Sequence, residues 1–267
     1  MIRRPPRSTQ GVSSAASDVY KRQPDFAKFI QGGFVHITVG QPVSFNPHPA
    51  FVFATRQYRG QPALTDNPGL LTNFVQGKPF PGNQGIEDSK AGVKIAWNMR
   101  YAYTGDNGKI PEMHWQLRDW RKEDPQFEMY TTARTMRFMY RHVRQPVPYI
   151  KKNPQDAYGA FLLNAIDAGT YDGAQALVFA NRDESREING WVWIPQLTRT
   201  QSLASFAREE SMFGSDILPT DFLVFATRMV DMEWEYRGST YMLLPFYRHD
   251  RVETANRKAR KLSLIHI

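Results

Sequence analysis

The chain has 267 residues, 41% hydrophobic and 22% charged, which is enough apolar material for one large domain or two modest ones. It has no cysteine, which excludes disulfides, thiolate nucleophiles and cysteine metal sites together. The net charge of +8 sits at the ends: 10 of the 34 basic and 2 of the 26 acidic residues lie in 1–23 and 251–267, leaving 24 of each in 24–250. A neutral body projects no field toward phosphate or anionic lipid, so nucleic acid is not an expected partner.

The opening segment, MIRRPPRSTQGVSSAASDVYKRQ, and the final LSLIHI resemble translated sequencing-adapter read-through. The expectation is a non-native or disordered flank over 1–23, one N-terminally truncated domain over 24–250, and a disordered basic tail over 251–267 whose last six residues are non-native. No window reaches the roughly 18 apolar residues of a membrane-spanning helix. Residues 1–23 hold no apolar core of a signal peptide.

In chain order, Asn46-Pro47 is placed to cap a short helix over Phe51–Tyr58. A loop-rich stretch follows, with one strand expected at Leu70–Val75 and an extended path forced by Pro79 and Pro81. The run DSKAGVKIAWNMRYAYTGDNG starts as a helix and is expected to end as a strand around Arg100–Thr104. Met113, Trp115 and Leu117 then alternate with His114, Gln116 and Arg118, the pattern of a half-buried strand.

Residues 127–143 admit two readings. Arg134, Arg137, Arg141 and Arg144 have helical spacing, and a basic amphipathic helix would point to nucleic acid or a membrane surface. Thr131, Thr132 and Thr135 favour a strand instead, with Arg137 and Arg141 on a solvated or salt-bridged polar face. Further strands are expected at Ala174–Ala180 and Trp191–Pro195, and a short helix at Pro219–Ala226. Met229–Tyr236 alternates apolar with acidic residues and is read as a hairpin, turning through Arg237-Gly238-Ser239 into Thr240–Pro245. Several antiparallel strands, few helices and no internal repeat favour a barrel or a strongly curved sheet.

No catalytic motif appears: there is no nucleophile elbow, Walker loop or dinucleotide fingerprint. The six histidines (36, 48, 114, 142, 249 and 266) lack metal-ligand spacing. Asp183, Glu184 and Glu187 could hold a cation, but a solvated hairpin turn is the simpler explanation. Catalytic residues, metal ligands and cofactors are therefore all expected to be none. Trp97, Trp115, Trp191, Trp193 and Trp234 are either core or the lining of an apolar pocket.

The stretch WIPQLTRT followed by MFGSDILPTDF resembles a signature of the outer-membrane lipoprotein-sorting superfamily, the LolA/LolB-like fold. Its motif positions are Trp193, Pro195, Arg199, Phe213, Gly214, Ser215, Asp216 and Asp221. GKPFPG, AGVKIAWNMRYAY and MEWEYRGSTYMLLPF resemble one branch, the domain-of-unknown-function family thirteen-twenty-nine. Thr198 and Thr200 depart from more basic positions of the pattern.

The resemblance implies a mainly β, α+β fold: an antiparallel, unclosed half-barrel wrapped around a few short helices. It also implies a periplasmic, non-enzymatic carrier or chaperone for lipids, acylated proteins or other hydrophobic molecules. The alternatives are an interaction subunit of a resistance-nodulation-division-type envelope exporter and, last, a hydrolase with a dispersed site. An apolar ligand face is expected from Trp191, Trp193, Val230, Met232, Trp234 and Tyr236. Pro195, Arg199, Phe213, Gly214, Ser215, Asp216 and Asp221 are expected to be architectural, with Ser215 or Asp216 accepting backbone N–H bonds in a turn.

Overall fold

A computed structural model describes residues 46–117, 124–153, 155–187, 189–203 and 228–239. The chain divides into two units, Met1–Tyr236 and Arg237–Ile267, and of the second only Arg237–Ser239 are described. The described part of the first unit is mainly β, with two helices and an unclosed antiparallel sheet.

Helix α1 spans Pro49–Gln57. It is capped by His48, whose Nδ1 accepts the Ala50 N–H at 3.1 Å, with Pro49 in the first turn where its missing donor costs nothing. Asn46 therefore does not supply the cap. Two short strands, β1 (Ala63–Leu64) and β2 (Leu71–Thr72), pair antiparallel, so the strand expected at Leu70–Val75 shrinks to two residues.

Helix α2 spans Ala91–Arg100 and buries Ala91, Gly92, Ala96 and Trp97. Asp88 precedes it, accepting the Lys90 N–H at 2.9 Å and pairing with Lys94 at 2.6 Å. The strand expected at Arg100–Thr104 does not form. The Tyr101 N–H bonds the Trp97 carbonyl instead, and the Tyr101 ring is 2% exposed inside an aromatic cluster. Burial of that ring holds the helical turn, and the chain straightens only after Gly105, at φ 107°.

Six strands follow as a meander: β3 (Asn107–Leu117), β4 (Phe127–Arg137), β5 (Ala157–Ile166), β6 (Gln175–Asn181), β7 (Asn189–Ile194) and β8 (Arg199–Ser202). Each pairs antiparallel with the next, and β3 and β8 lie at the ends of the order. Pro111 cannot donate to a ladder, and it falls in β3, where the register shifts between Ile110 and Met113.

β4 stops at Arg137, short of the expected 143, and its strand form removes the basic amphipathic helix. Arg141 is not on a solvated face: it is 3% exposed in the following loop. Its Nε donates to the Arg144 and Pro146 carbonyls at 3.1 and 3.0 Å, and its Nη1 donates to the Arg137 carbonyl at 2.5 Å. A loop outside the ladder must find donors for its carbonyls, and this buried guanidinium supplies them. The segment expected to be a strand over Met229–Tyr236 instead begins with a 3-10 turn at Met229–Asp231, and no strand is assigned over 232–239 among the described residues. The expected alternation nevertheless holds in burial, with Val230, Met232, Trp234 and Tyr236 half-buried and Asp231, Glu233 and Glu235 exposed. Thr240–Pro245 and Pro219–Ala226 lie outside the described residues.

The core gathers at one end of the sheet, where β4 ends, β5 begins and β6 turns into β7. Tyr101 is its hub, with ring centroids 4.6 Å from Phe74, 5.4 Å from Trp97, 4.9 Å from Tyr140 and 5.5 Å from Tyr158. Leu71, Ala96 and Met229 complete the cluster, with Phe80 and Trp234 packed against it. Each ring pair adds roughly 0.5–1.5 kcal/mol beyond the area it buries.

The Trp234–Glu235 backbone lies directly on Gly92 of α2, where a Cβ would come 2.5 Å from the Trp234 carbonyl carbon and 2.7 Å from Glu235 N. Glycine to alanine in a helix usually stabilises by about 0.5–1 kcal/mol. At Gly92 the sign should reverse. Gly92→Ala is expected to destabilise by about 1–3 kcal/mol, the scale of overpacking, and urea unfolding measures it. A gain in stability would mean that this segment does not dock on α2.

Candidate functional site

Strand alternation and the registers sort the sheet into two faces. One carries Met113, Trp115 and Leu117 of β3, Phe127, Met129, Thr131 and Ala133 of β4, and Phe161, Leu163 and Ala165 of β5. It continues through Ala176 and Val178 of β6 to Val192 and Ile194 of β7. Met129, Thr131 and Ala133 are buried, while the apolar residues on β3, β5, β6 and β7 are half-buried. The one polar side chain among them is satisfied internally, Thr131 accepting from Trp115 Nε1 at 2.8 Å. None of these side chains belongs to the cluster that the helices bury.

The opposite face is chemically split. On β3 and β4 one oxygen of Glu128 accepts from Tyr130 Oη at 3.2 Å and Gln116 Nε2 at 3.3 Å and pairs closely with His114. The His114 and Tyr130 rings stack with centroids 4.4 Å apart. Burial opposes ionisation of Glu128, but the bonds from Gln116, His114 and Tyr130 outweigh it and lower the pKa. On β6 and β7 the same face carries Leu177, Phe179, Trp191 and Trp193.

The expected ligand-face residues are divided by the structure. Trp191 and Trp193 share a face of β7, 36% and 37% exposed, and Trp191 meets Phe179 edge-on at 6.0 Å. Trp234 packs instead against the aromatic core, in the half-buried row with Val230, Met232 and Tyr236. Pro195 opens a 3-10 turn between β7 and β8, and Arg199 is the exposed first residue of β8, paired with Ile194. Phe213, Gly214, Ser215, Asp216 and Asp221 lie outside the described residues.

The acidic run at the β6–β7 turn is not wholly solvated. Glu184 is 4% exposed; its carboxylate accepts Arg100 Nη2 at 3.1 Å and the Met229 N–H at 2.7 Å, with Arg100 Nε 2.9 Å away as an ion pair. Burial raises the Glu184 pKa despite Arg100 beside it. Asp183 caps the turn, accepting from the Ser185 hydroxyl at 2.6 Å and its N–H at 3.0 Å, whereas Glu187 is exposed. Arg100, Tyr158, Phe179, Glu184, Arg186 and Arg228 line a cleft of about 100 Å³.

A third polar group surrounds the loop after β4. Asp106 accepts the backbone N–H groups of His142, Val143 and Arg144 at 2.9, 2.7 and 2.7 Å. Burial opposes its charge, yet those three donors keep its pKa below the ordinary value. His142 is buried, its Nε2 accepting the Gly77 N–H at 3.0 Å, and burial with Arg137 nearby lowers its pKa to about 4. Arg137 donates through Nη2 to the Ala102 carbonyl at 2.6 Å and lies over the Tyr103 ring at 5.9 Å. Among the described residues its Nη1 is buried without a hydrogen-bond partner. Arg137, expected on a solvated or salt-bridged polar face, is instead half-buried against Ala102 and Tyr103, and sequence reasoning missed Arg100 and Asp106; an arginine in the last turn of α2, where a cation favours the helix dipole, was the one available signal.

These features define a mainly β protein whose unclosed antiparallel sheet has one continuous apolar face and a helical aromatic core at one end. The chain belongs to the family described as Protein of unknown function (DUF1329), whose model matches residues 26–265. No curated protein and no solved structure matches the chain.

Arg100→Met is expected to cost roughly 3 kcal/mol or more by stranding Glu184 in a buried site. Adding Glu184→Gln, which keeps an acceptor for Met229, should recover more than about 1 kcal/mol of that loss in a double-mutant cycle. Additive losses would show that the pair is uncoupled.

His142 has a folded pKa of about 4 against an ordinary 6.5, so the folded state binds fewer protons there than the unfolded chain. Its contribution is complete above about pH 6.5 and is lost as pH falls toward 4. The thermal midpoint should drop across that window, by no more than about 3 kcal/mol in equivalent stability. His142→Gln should flatten this part of the profile; an unchanged slope would assign it to other groups.

Proposed function

We propose that this protein is a non-enzymatic periplasmic carrier or chaperone for hydrophobic molecules, either lipids or acylated proteins. The observation that supports it is the apolar face running through β3 to β7, half-buried over most of its width and separate from the cluster under the helices. An aliphatic chain laid on such a face gains about 0.8 kcal/mol for each methylene removed from water. The resemblance to the LolA/LolB-like fold supplies the arrangement for this role, a half-barrel whose inner wall and short helices enclose the ligand. Binding needs no reacting group, and the His114–Glu128 pair that a hydrolase would recruit lies on the opposite face.

A second reading has an observation in its favour. The charged cleft of about 100 Å³ is well below the roughly 300 Å³ of an ordinary small-molecule site. An interaction subunit of an envelope exporter, with no ligand of its own, would need none.

Titration with a fluorescent fatty acid separates the two. The carrier should bind the probe saturably, with affinities corrected for the folded fraction by near-ultraviolet circular dichroism. Leu163→Asp, on the apolar face, should weaken binding by about tenfold or more, equivalent to about 1.4 kcal/mol, while Trp193→Asp, on the other face, should have little effect. A loss confined to Trp193→Asp would move the ligand to the face of Trp191 and Trp193. No saturable binding by the wild-type protein would leave the interaction-subunit reading.

A further inference from the structure

We propose that the surface formed by α1, the turn at Lys78 and the loop after β4 docks on an anionic phospholipid bilayer. The neutral balance of residues 24–250 hides an uneven distribution of charge. No acid occurs in 46–65, in 67–86 or in 138–155, whereas Arg56, Arg59, Lys78, Arg144, Lys151 and Lys152 all fall within them. All six are exposed, and among the described residues none of their charged groups has a hydrogen bond or an ion pair. The acid that does reach this region, Asp106, is 3% exposed and spent on three backbone N–H groups, so it adds no negative charge to the surface.

Contacts between the three stretches make them one region. The Lys78 N–H donates to Thr55 Oγ1 of α1 at 2.9 Å, the Gly77 N–H donates to His142 Nε2 at 3.0 Å, and the Phe51 ring lies 5.3 Å from the His142 ring. Gly77 packs so closely on α1 that a Cβ would come 2.7 Å from Thr55 Cα. The loop is held from within: Asp106 takes the Val143 and Arg144 N–H groups, and the Pro148 carbonyl accepts the Arg141 N–H at 2.9 Å. The cations therefore stand on a preformed base, and docking has little backbone left to order.

Apolar side chains stand among these charges. Phe53 is 68% exposed, on the side of α1 turned away from the buried Phe51 and Ala54, and Arg56 follows it at i+3. Tyr149 and Val143 are 51% and 46% exposed in the loop. Rings and aliphatic groups interspersed with cations suit the headgroup layer, where the apolar groups reach the acyl boundary and the cations meet lipid phosphates. Duplex nucleic acid would meet the cations too, but it offers no apolar layer to Phe53 and Val143. The docking does not depend on the apolar face of the sheet; under the carrier reading it would hold the protein at a membrane that donates or receives cargo.

Co-sedimentation of the full chain with vesicles tests this, comparing phosphatidylcholine alone with phosphatidylcholine containing phosphatidylglycerol. The anionic vesicles are expected to bind about tenfold or more tightly, with the advantage shrinking as salt rises. The terminal stretches are also basic, so the decisive comparison is between two variants with equal loss of charge. Arg56→Gln/Arg144→Gln/Lys151→Gln should weaken binding to anionic vesicles by about tenfold or more. Lys109→Gln/Arg134→Gln/Arg199→Gln, at exposed positions on the strands, should weaken it by less than about threefold. Phe53→Ser should weaken binding most at high salt, where charge attraction is screened. Equal binding to both kinds of vesicle, or equal losses in the two triple variants, would overturn the proposal. So would tight binding of a duplex oligonucleotide at physiological salt in place of vesicles. Lys151→Gln/Lys152→Gln repeats the comparison if thermal midpoints show that the first triple variant fails to fold. Fluorescent fatty-acid titration of the same variants should match the wild type, so loss of docking and loss of the carrier reading are read separately.

Discussion

The buried ion pair between Arg100 and Glu184 joins three parts of the chain that are far apart in sequence. Arg100 is the last residue of α2, Glu184 sits in the turn between β6 and β7, and the Glu184 carboxylate also receives the Met229 N–H of the C-terminal segment. The two side chains are only 13% and 6% exposed, so both charges have given up most of their water. Such a pair contributes little net stability compared with an apolar contact, but it tolerates no alternative geometry. Its consequence is specificity: one position of the helix against the sheet leaves neither charge stranded. The aromatic cluster around Tyr101 supplies the burial energy beside it, and the pair sets where that burial occurs.

The same end of the molecule shows how a loop can bury polar groups without a ladder. After Arg137 the chain leaves the sheet, and its backbone donors and acceptors need partners from elsewhere. Asp106 takes three N–H groups, and the Arg141 guanidinium takes the carbonyls of Arg137, Arg144 and Pro146. Gln76 reaches the Arg141 carbonyl, and Gly77 donates to His142, so the loop before α2 is bound into the same network. Arg137 stands at the edge of this set with its Nη1 buried and, among the described residues, unbonded.

Away from that end, the sheet is organised by its period of two. The meander places Trp115, Leu117, Phe161, Leu163, Val178 and Val192 on one side by alternation alone. On the other side, polar residues concentrate on β3 and β4 and aromatic ones on β6 and β7, so the two surfaces differ in chemistry.

Alternation in the sequence, as at Met113-Trp115-Leu117, was enough to find strands, because a half-buried strand must alternate. The helix carrying Trp97 and the general antiparallel, unclosed class were legible for similar local reasons, and the motifs GKPFPG and AGVKIAWNMRYAY pointed to the right family. The same local logic failed where a side chain found a distant partner. Met229–Tyr236 alternates in burial as a strand would, yet it begins as a 3-10 turn whose Met229 N–H is held by Glu184 and whose Trp234–Glu235 backbone lies on Gly92. Arg141 and Glu184 look solvated in sequence because charged residues usually are. Arg141 is buried because loop carbonyls within five residues of it accept its guanidinium, and Glu184 because Arg100, 84 residues away in sequence, pairs with it. The sequence by itself determined the periodicities, the neutral body and the strand content, which depend on neighbours in the chain. Only the tertiary structure decided which charges are buried and which loop closes around Arg141. Those outcomes depend on desolvation and on partners that no local pattern encodes.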